Sequence, residues 1–377
     1  MSKLVKSTAY SSIDTWQWFR SKEWDSLWFL NAYWVFLLFS LVFYYISPEV
    51  CGVLAAAVFM FTRLSHIYVS MYLCLKHPAY KALAKLSPWR FMGIPSLIVA
   101  FFLLFFSLPY KLFPADTDTR LKIYGIIVFP YLYYHYALQH YGILVMYRSR
   151  ANQKLSSFHR KFEKLFCHLT VSLTVTALIL RNFYELKVGS WSLSGLFRTP
   201  SVDWNILAWI IIIPTSSVYF FLELRNQNQS IPKMLYAFSM PLMSLVLTLK
   251  DFYLSWMLID IQHTLAIFGL GGHFMTNYAV IERKVNPKKT MLRYYGYLLL
   301  TSTVLSIIYY FFSAQGSGDN RLGAILKGVI PQIEEENPLR IFFFALFVGQ
   351  GIAHYYFDKL AFSFSDKGIG PMLKKYI

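Results

Sequence analysis

The stretch KIYGIIVFPYLYYHYALQHYGILVMYR, residues 122–148, contains no charged side chain between Lys122 and Arg148. A helix needs about 20 consecutive apolar residues to cross about 30 Å of hydrocarbon, and this run is long enough. It therefore reads as a membrane-crossing helix. Inside it, His135, Gln139 and His140 sit where hydrocarbon is expected, so the segment that decides the fold also raises the question of function.

The rest of the chain repeats the pattern. Of 377 residues, 56% are hydrophobic, 19% aromatic and only 15% charged, against about 25% charged in soluble domains. Ten segments qualify as spans: 27–46, 51–75, 91–113, 123–147, 165–184, 205–224, 234–249, 252–282, 294–313 and 341–362. The expected fold is all-α, a single polytopic domain of about ten transmembrane helices covering residues 1–377, with both termini cytoplasmic. Residues 1–26 are then a cytoplasmic N-terminal segment and 314–340 an extracytoplasmic loop.

The net charge of +17 does not point to nucleic acid, because the basic residues lie in short loops between apolar runs. With the N-terminus inside, 24 Lys and Arg fall on the cytoplasmic side and ten on the other, as the positive-inside rule requires. The turn LKDF at 249–252 is the critical one, since a single broken helix over 234–282 would invert every later span. Three cysteines, Cys51, Cys74 and Cys167, lack CxxC spacing and form no disulfide framework or zinc knuckle. The first residues lack an apolar core followed by a small-residue cleavage site, so no cleaved signal peptide is expected.

Polar side chains in a bilayer are costly and mark functional sites by default. FTRLSHIY supplies Arg63 and His66, and LIDIQHTLAIFGLGGHFMTNY supplies Asp260, Gln262, His263, His273 and Asn277. VGQGIAHYYFDKL supplies Gln350, His354 and Asp358. His135 and Gln139 are one helical turn apart, as are His273 and Asn277, and His354 and Asp358, so each pair shares a face. Counting back from the basic residue at each inner helix end places His66, His140, His273 and His354 in one layer, about 12–20 Å from the cytoplasmic edge. Asp260, Gln262 and His263 then fall nearer the outer side, with His135 between. His77, His159 and His168 are expected in solvated cytoplasmic loops. Gly142, Gly269, Gly271, Gly272, Gly349 and Gly351 would let helices approach closely or line a cavity.

Neutral imidazole is the commonest metal ligand, and a carboxylate one turn away can orient it or complete the shell. The expected metal ligands are His135, His140, His263, His273 and His354, with Asp358, Gln139, Asp260 and Gln262 in catalytic or supporting roles. Several imidazoles with an open position suit non-haem iron or copper oxygen chemistry on an apolar substrate, with iron the leading expectation. Haem b, held by two facing histidines, is the other option. The sequence has no HExxH, no HxxxH and HxxHH boxes of membrane desaturases, and no CxxCH.

HYALQHYGILVMYRSR, DIQHTLAIF and HYYFDKLAFSF together resemble a loosely defined, functionally unassigned set of bacterial polytopic membrane proteins. Its members share a His-x3-Gln-x-x-Gly helix, a second Gln-bearing helix and a terminal His-Tyr-x-x-Asp helix. In the second helix the set suggests a histidine where this chain has Ile259, with His263 one turn on. The resemblance implies that these positions form one site in a bacterial inner membrane, and implies nothing about substrate.

The leading expectation is a membrane-embedded oxidoreductase, an iron oxygenase acting on a lipid, isoprenoid, quinone or fatty chain, with no nucleic-acid partner. One alternative is a proton-coupled transporter with Asp260, His263, Arg63 and Asp358 as a relay. Another is a lipid or acyl transferase using an intramembrane histidine as base.

Overall fold

The computed structural model describes residues 17–30, Trp34, Leu38, 65–108, 117–183, 187–188, 191–192, 203–226, 228–249, 252–283, 286–313, 338–363 and 366–376. Within them the chain is all-α apart from a two-residue hairpin, Lys187–Val188 paired with Trp191–Ser192. The helices are α1 (Lys22–Asp25), α2 (65–76), α3 (Pro78–Leu86), α4 (Ile94–Ser107), α5 (Thr117–Arg150) and α6 (Ser157–Phe183). They continue as α7 (Trp204–Leu224), α8 (Ile231–Leu249), α9 (Phe252–Arg283), α10 (Pro287–Ser313), α11 (Pro338–Ala361) and α12 (Ile369–Tyr376).

Residues 231–249 and 252–283 form two helices in contact with each other, and the centre of the turn expected at 249–252 lies outside the described residues. Two helical stretches, Trp89–Ser107 and Trp204–Leu224, are by length and composition apolar enough to cross a membrane. In α7, Asp203 caps the start by accepting from the backbone of Asn205 at 2.9 Å and Ile206 at 3.4 Å. Beyond Pro214, Thr215, Ser216 and Ser217 donate their hydroxyls to carbonyls four residues back, at 2.7, 2.7 and 2.9 Å. Each hydroxyl is thus satisfied inside its own helix rather than by water.

The helices pack in pairs: α4 on α11, α5 on α6, α6 on α7, α9 on α10. At Gly349 of α11 a methyl group would lie 3.0 Å from the Cα of Val99, so glycine lets α4 and α11 meet backbone to backbone. Gly269 similarly receives Trp28, 2.6 Å from where its Cβ would stand, whereas Gly142 and Gly351 face open space. The main core is aromatic-rich and runs through α2, α5, α8, α9 and α11, with Phe19, Leu73, Tyr136, Tyr147, Ile267 and Phe357 buried in it.

Part of the expected cytoplasmic segment 1–26 packs on that core: Phe19 belongs to it and Trp18 and Trp24 lie against it, while Lys22 and Glu23 are exposed. Phe19 is buried, and the fully buried Asp25 carboxylate accepts from the backbone of Phe19 at 2.6 Å and of Arg20 at 3.2 Å.

A second departure from the expected solvated loops lies where α5, α6, α7 and α8 end together. Glu163 bridges Arg148 at 2.6 Å and Lys233 at 2.6 Å. Lys233 also reaches Glu223 at 2.7 Å, and His159 reaches the same carboxylate at 2.8 Å. Gln153 accepts from Lys233 at 3.0 Å. Glu163, Glu223 and Lys233 are fully buried, and His159 is buried too. Two cations and two carboxylates from separate elements therefore neutralise one another in the interior. His77 is also buried, against Tyr80 and Tyr278, while His168 is partly exposed and stacks on Tyr134.

Candidate metal centre

Three long helices bring four polar side chains to one point: His135 on α5, His263 on α9, and His354 with Asp358 on α11. One potential ligand atom from each lies within 4.8 Å of all the others, and all four residues are buried. The i, i+4 spacing of His354 and Asp358 puts both on one side of α11, with Nδ1 of the ring 3.4 Å from Oδ1 of the carboxylate. Across the helices, His135 Nε2 stands 3.3 Å from His263 Nε2 and 3.2 Å from Asp358 Oδ2. His263 Nε2 is 4.0 Å from the same oxygen.

The contacts of 3.2–3.4 Å match donors that share a cation, and the His263–Asp358 distance of 4.0 Å is longer. Metal–imidazole and metal–carboxylate bonds of about 2.0–2.2 Å put neighbouring donor atoms roughly 3–3.5 Å apart. Among the described residues, neither oxygen of Asp358 makes a hydrogen bond, although histidine nitrogens surround it. Its ion-pair partners there are imidazoles, with no Lys or Arg. A buried carboxylate needs a compensating positive charge, and a cation held between these donors would supply it.

The protonation of His263 follows from its neighbour. Gln139 Nε2 donates to the backbone carbonyl of His263 at 3.0 Å, which fixes the amide orientation and leaves Oε1 facing the ring. Oε1 can only accept, so the close contact with His263 Nδ1 requires that this nitrogen carry the proton. Nε2 is then a bare lone pair turned toward His135 and Asp358, the tautomer a metal requires.

Tyr355 packs on His135 with ring centroids 4.5 Å apart, and Tyr136 on His263 at 4.7 Å. These aromatic walls keep the rings in place. His66, on α2, presses its ring against His263 at 4.8 Å and His354 at 4.6 Å.

Not every expected residue is here. His140 turns away, as its ~140° offset from His135 dictates, and its Nδ1 pairs with the Tyr236 hydroxyl at 2.7 Å. It lines a small cavity between α5, α6, α8 and α9 with Tyr136, Thr170 and Met240. His273 lies ten residues beyond His263, about 15 Å along α9. There it contacts Asn277 at 3.0 Å and packs on Phe19 at 4.2 Å. Neither joins the cluster, and the layer reckoned from the basic helix ends is corrected accordingly: His135 and His263 stand level with His354. Gln262 is buried beside His263, and its Nε2 has no hydrogen-bond partner among the described residues. Asp260 lies on α9, and its side chain and that of Arg63 are outside the described residues.

Comparison with protein-family models, with curated proteins and with solved structures finds no match for this chain.

Proposed function

We propose that this protein is a membrane-embedded, metal-dependent oxidoreductase whose centre is a non-haem iron held by His135, His263, His354 and Asp358. The observation that carries the reading is the convergence of three buried imidazoles and one carboxylate from three helices on a single point. Nitrogen and carboxylate donors without thiolate favour iron or manganese redox chemistry, or a catalytic zinc, over a structural zinc or an iron–sulfur cluster. A haem fits poorly, because its macrocycle needs a flat slot between two axial histidines. Here a third imidazole and a carboxylate fill that space.

When bound, the iron would supply an open position for dioxygen or substrate. The chain's own part is different. Asp358 neutralises the cation, Gln139 holds the His263 proton away from it, and the Tyr136 and Tyr355 rings screen it from water.

The setting supports an apolar substrate, a lipid, isoprenoid, quinone or fatty chain entering sideways between helices. Leu97, Phe101 and Leu104 on α4, Ile206, Ile210 and Ile213 on α7, and Leu299 and Leu300 on α10 all point outward. Exposed apolar side chains repeated on several helices are what a lipid-facing surface looks like. The charge distribution supports a bundle of about ten spans with cytoplasmic termini, and the resemblance to bacterial polytopic membrane proteins favours a bacterial inner membrane. A transporter relay would string its acid and base through the bilayer, whereas His263 and Asp358 sit together in one cluster.

Elemental analysis of the detergent-purified protein tests the reading. About one iron per chain is expected, with loss in His354→Ala while the helical content is retained. Wild-type protein carrying no transition metal, and taking none up from ferrous solution, sinks it.

A further inference from the structure

We propose that the cavity between α5, α6, α8 and α9 is a binding site for a single water molecule, held by His140 and Thr170. The inference stands apart from the metal reading, since it concerns the space beside His263 and needs no cation.

Size comes first. The centre of a water-sized sphere can move within about 20 Å³ of this cavity, and about 10–15 Å³ is enough for one water. A lipid, isoprenoid or quinone does not fit. Of the four proposed metal ligands only His263 borders the cavity. This space is therefore not the pocket of an apolar substrate.

Polarity decides between water and an apolar gas. On α6, Thr170 and Thr174 are one helical turn apart and share the face that lines the cavity. His140 on α5 and Ser244 on α8 complete the polar part of its wall. Two of these four already have partners. The Thr174 hydroxyl stands 2.6 Å from the Thr170 carbonyl and 2.7 Å from Ser244 Oγ, and Ser244 donates to the Met240 carbonyl at 3.0 Å.

The other two have polar atoms left over. The Thr170 hydroxyl has no hydrogen-bond partner among the described residues. His140 meets the Tyr236 hydroxyl through Nδ1 at 2.7 Å, which leaves Nε2 without one there. Thr170 is 1% exposed and His140 8%, so bulk solvent does not satisfy them. Unpaired polar atoms are costly in an interior, and a pair of them on the wall of a water-sized space marks a buried water site. Water donates to one and accepts from the other, whichever tautomer His140 adopts. Dioxygen bonds neither. With the water in place, the Tyr236–His140 pair extends into a hydrogen-bonded chain that ends beside His263.

The test is a high-resolution structure of the full-length protein, metal-loaded and metal-free, with and without xenon pressure. In both metal states wild type is expected to show one density peak about 2.7–3.2 Å from His140 Nε2 and from Thr170 Oγ1, and no xenon. Thr170→Val, which keeps the shape but not the hydroxyl, is expected to lose the water and admit xenon, while Thr170→Ser keeps the water. A wild-type cavity that takes up xenon, or that shows no peak bonded to both residues, overturns the proposal. So does a water retained at full occupancy in Thr170→Val. A protein that binds no metal would sink the iron centre and leave this result untouched, because the cavity is read in both states.

Discussion

Gln139 grips His263 at two places, accepting from its ring and donating to its backbone carbonyl at 3.0 Å. One side chain thus fixes both the rotation of the imidazole and the nitrogen that bears its proton.

The first prediction follows from that grip. Gln139→Leu keeps roughly the side-chain volume but removes both polar atoms and frees the ring to change tautomer. Loss of such outer partners typically weakens metal affinity about 10–100-fold. Competition against a chelator should show a drop of that order, with the metal still bound at saturation. An unchanged affinity would mean that the contact is incidental.

The histidines divide into two groups. His135→Ala removes a donor from the cluster and is expected to abolish stoichiometric metal binding. His140→Phe and His273→Phe are expected to leave it intact, because those rings serve Tyr236 and Asn277. Metal content of the three purified variants checks this, and loss of metal in His140→Phe alone would redraw the site.

Removing one partner of a buried ionic network leaves charges without compensation. Lys233→Met leaves Glu163 with Arg148 and Glu223 with His159 as their remaining ion-pair partners, one cation short in a buried network, and should cost up to about 3–5 kcal/mol. Thermal unfolding in detergent should fall by many degrees, whereas Lys367→Met should barely move it. A melting point like wild type would show that the network is dispensable.

Asp366, beyond the last long helix, pairs with Arg90. The hydrogen bond from the Arg90 guanidinium is the main cause holding the Asp366 carboxyl below its usual range. A depressed carboxyl stabilises the folded state above its unfolded value of about 3.9 and loses that contribution as pH falls through the folded value. Both side chains are partly exposed, so the effect is small and screened by salt. Asp366→Asn should flatten the loss of stability below about pH 4, measured as melting temperature against pH at low ionic strength. Identical acid limbs would show that the pair contributes nothing.

The helical architecture was legible from apolar runs, and the central ligands from the spacing of His135, Gln139, His354 and Asp358. Depth was not. Measuring back from terminal basic residues assumes that a helix stops at the membrane edge. Yet α5 has 34 residues and α9 has 32, about 50 Å of helix, well beyond the about 30 Å that the ruler assumes. The ruler therefore slid by a different amount on each helix, admitting His140 and His273 and setting His135 and His263 apart. The Arg148, Glu163, Glu223 and Lys233 network was hidden for another reason. Its members are far apart in sequence and each looks like an ordinary loop charge, so only the packing of four helix ends reveals them.

Two of the donors, His354 and Asp358, belong to α11, near the end of the chain. His135 and His263 belong to α5 and α9, which are made well before it. A cation held at this point would therefore tie together helices that leave the ribosome at widely separated times.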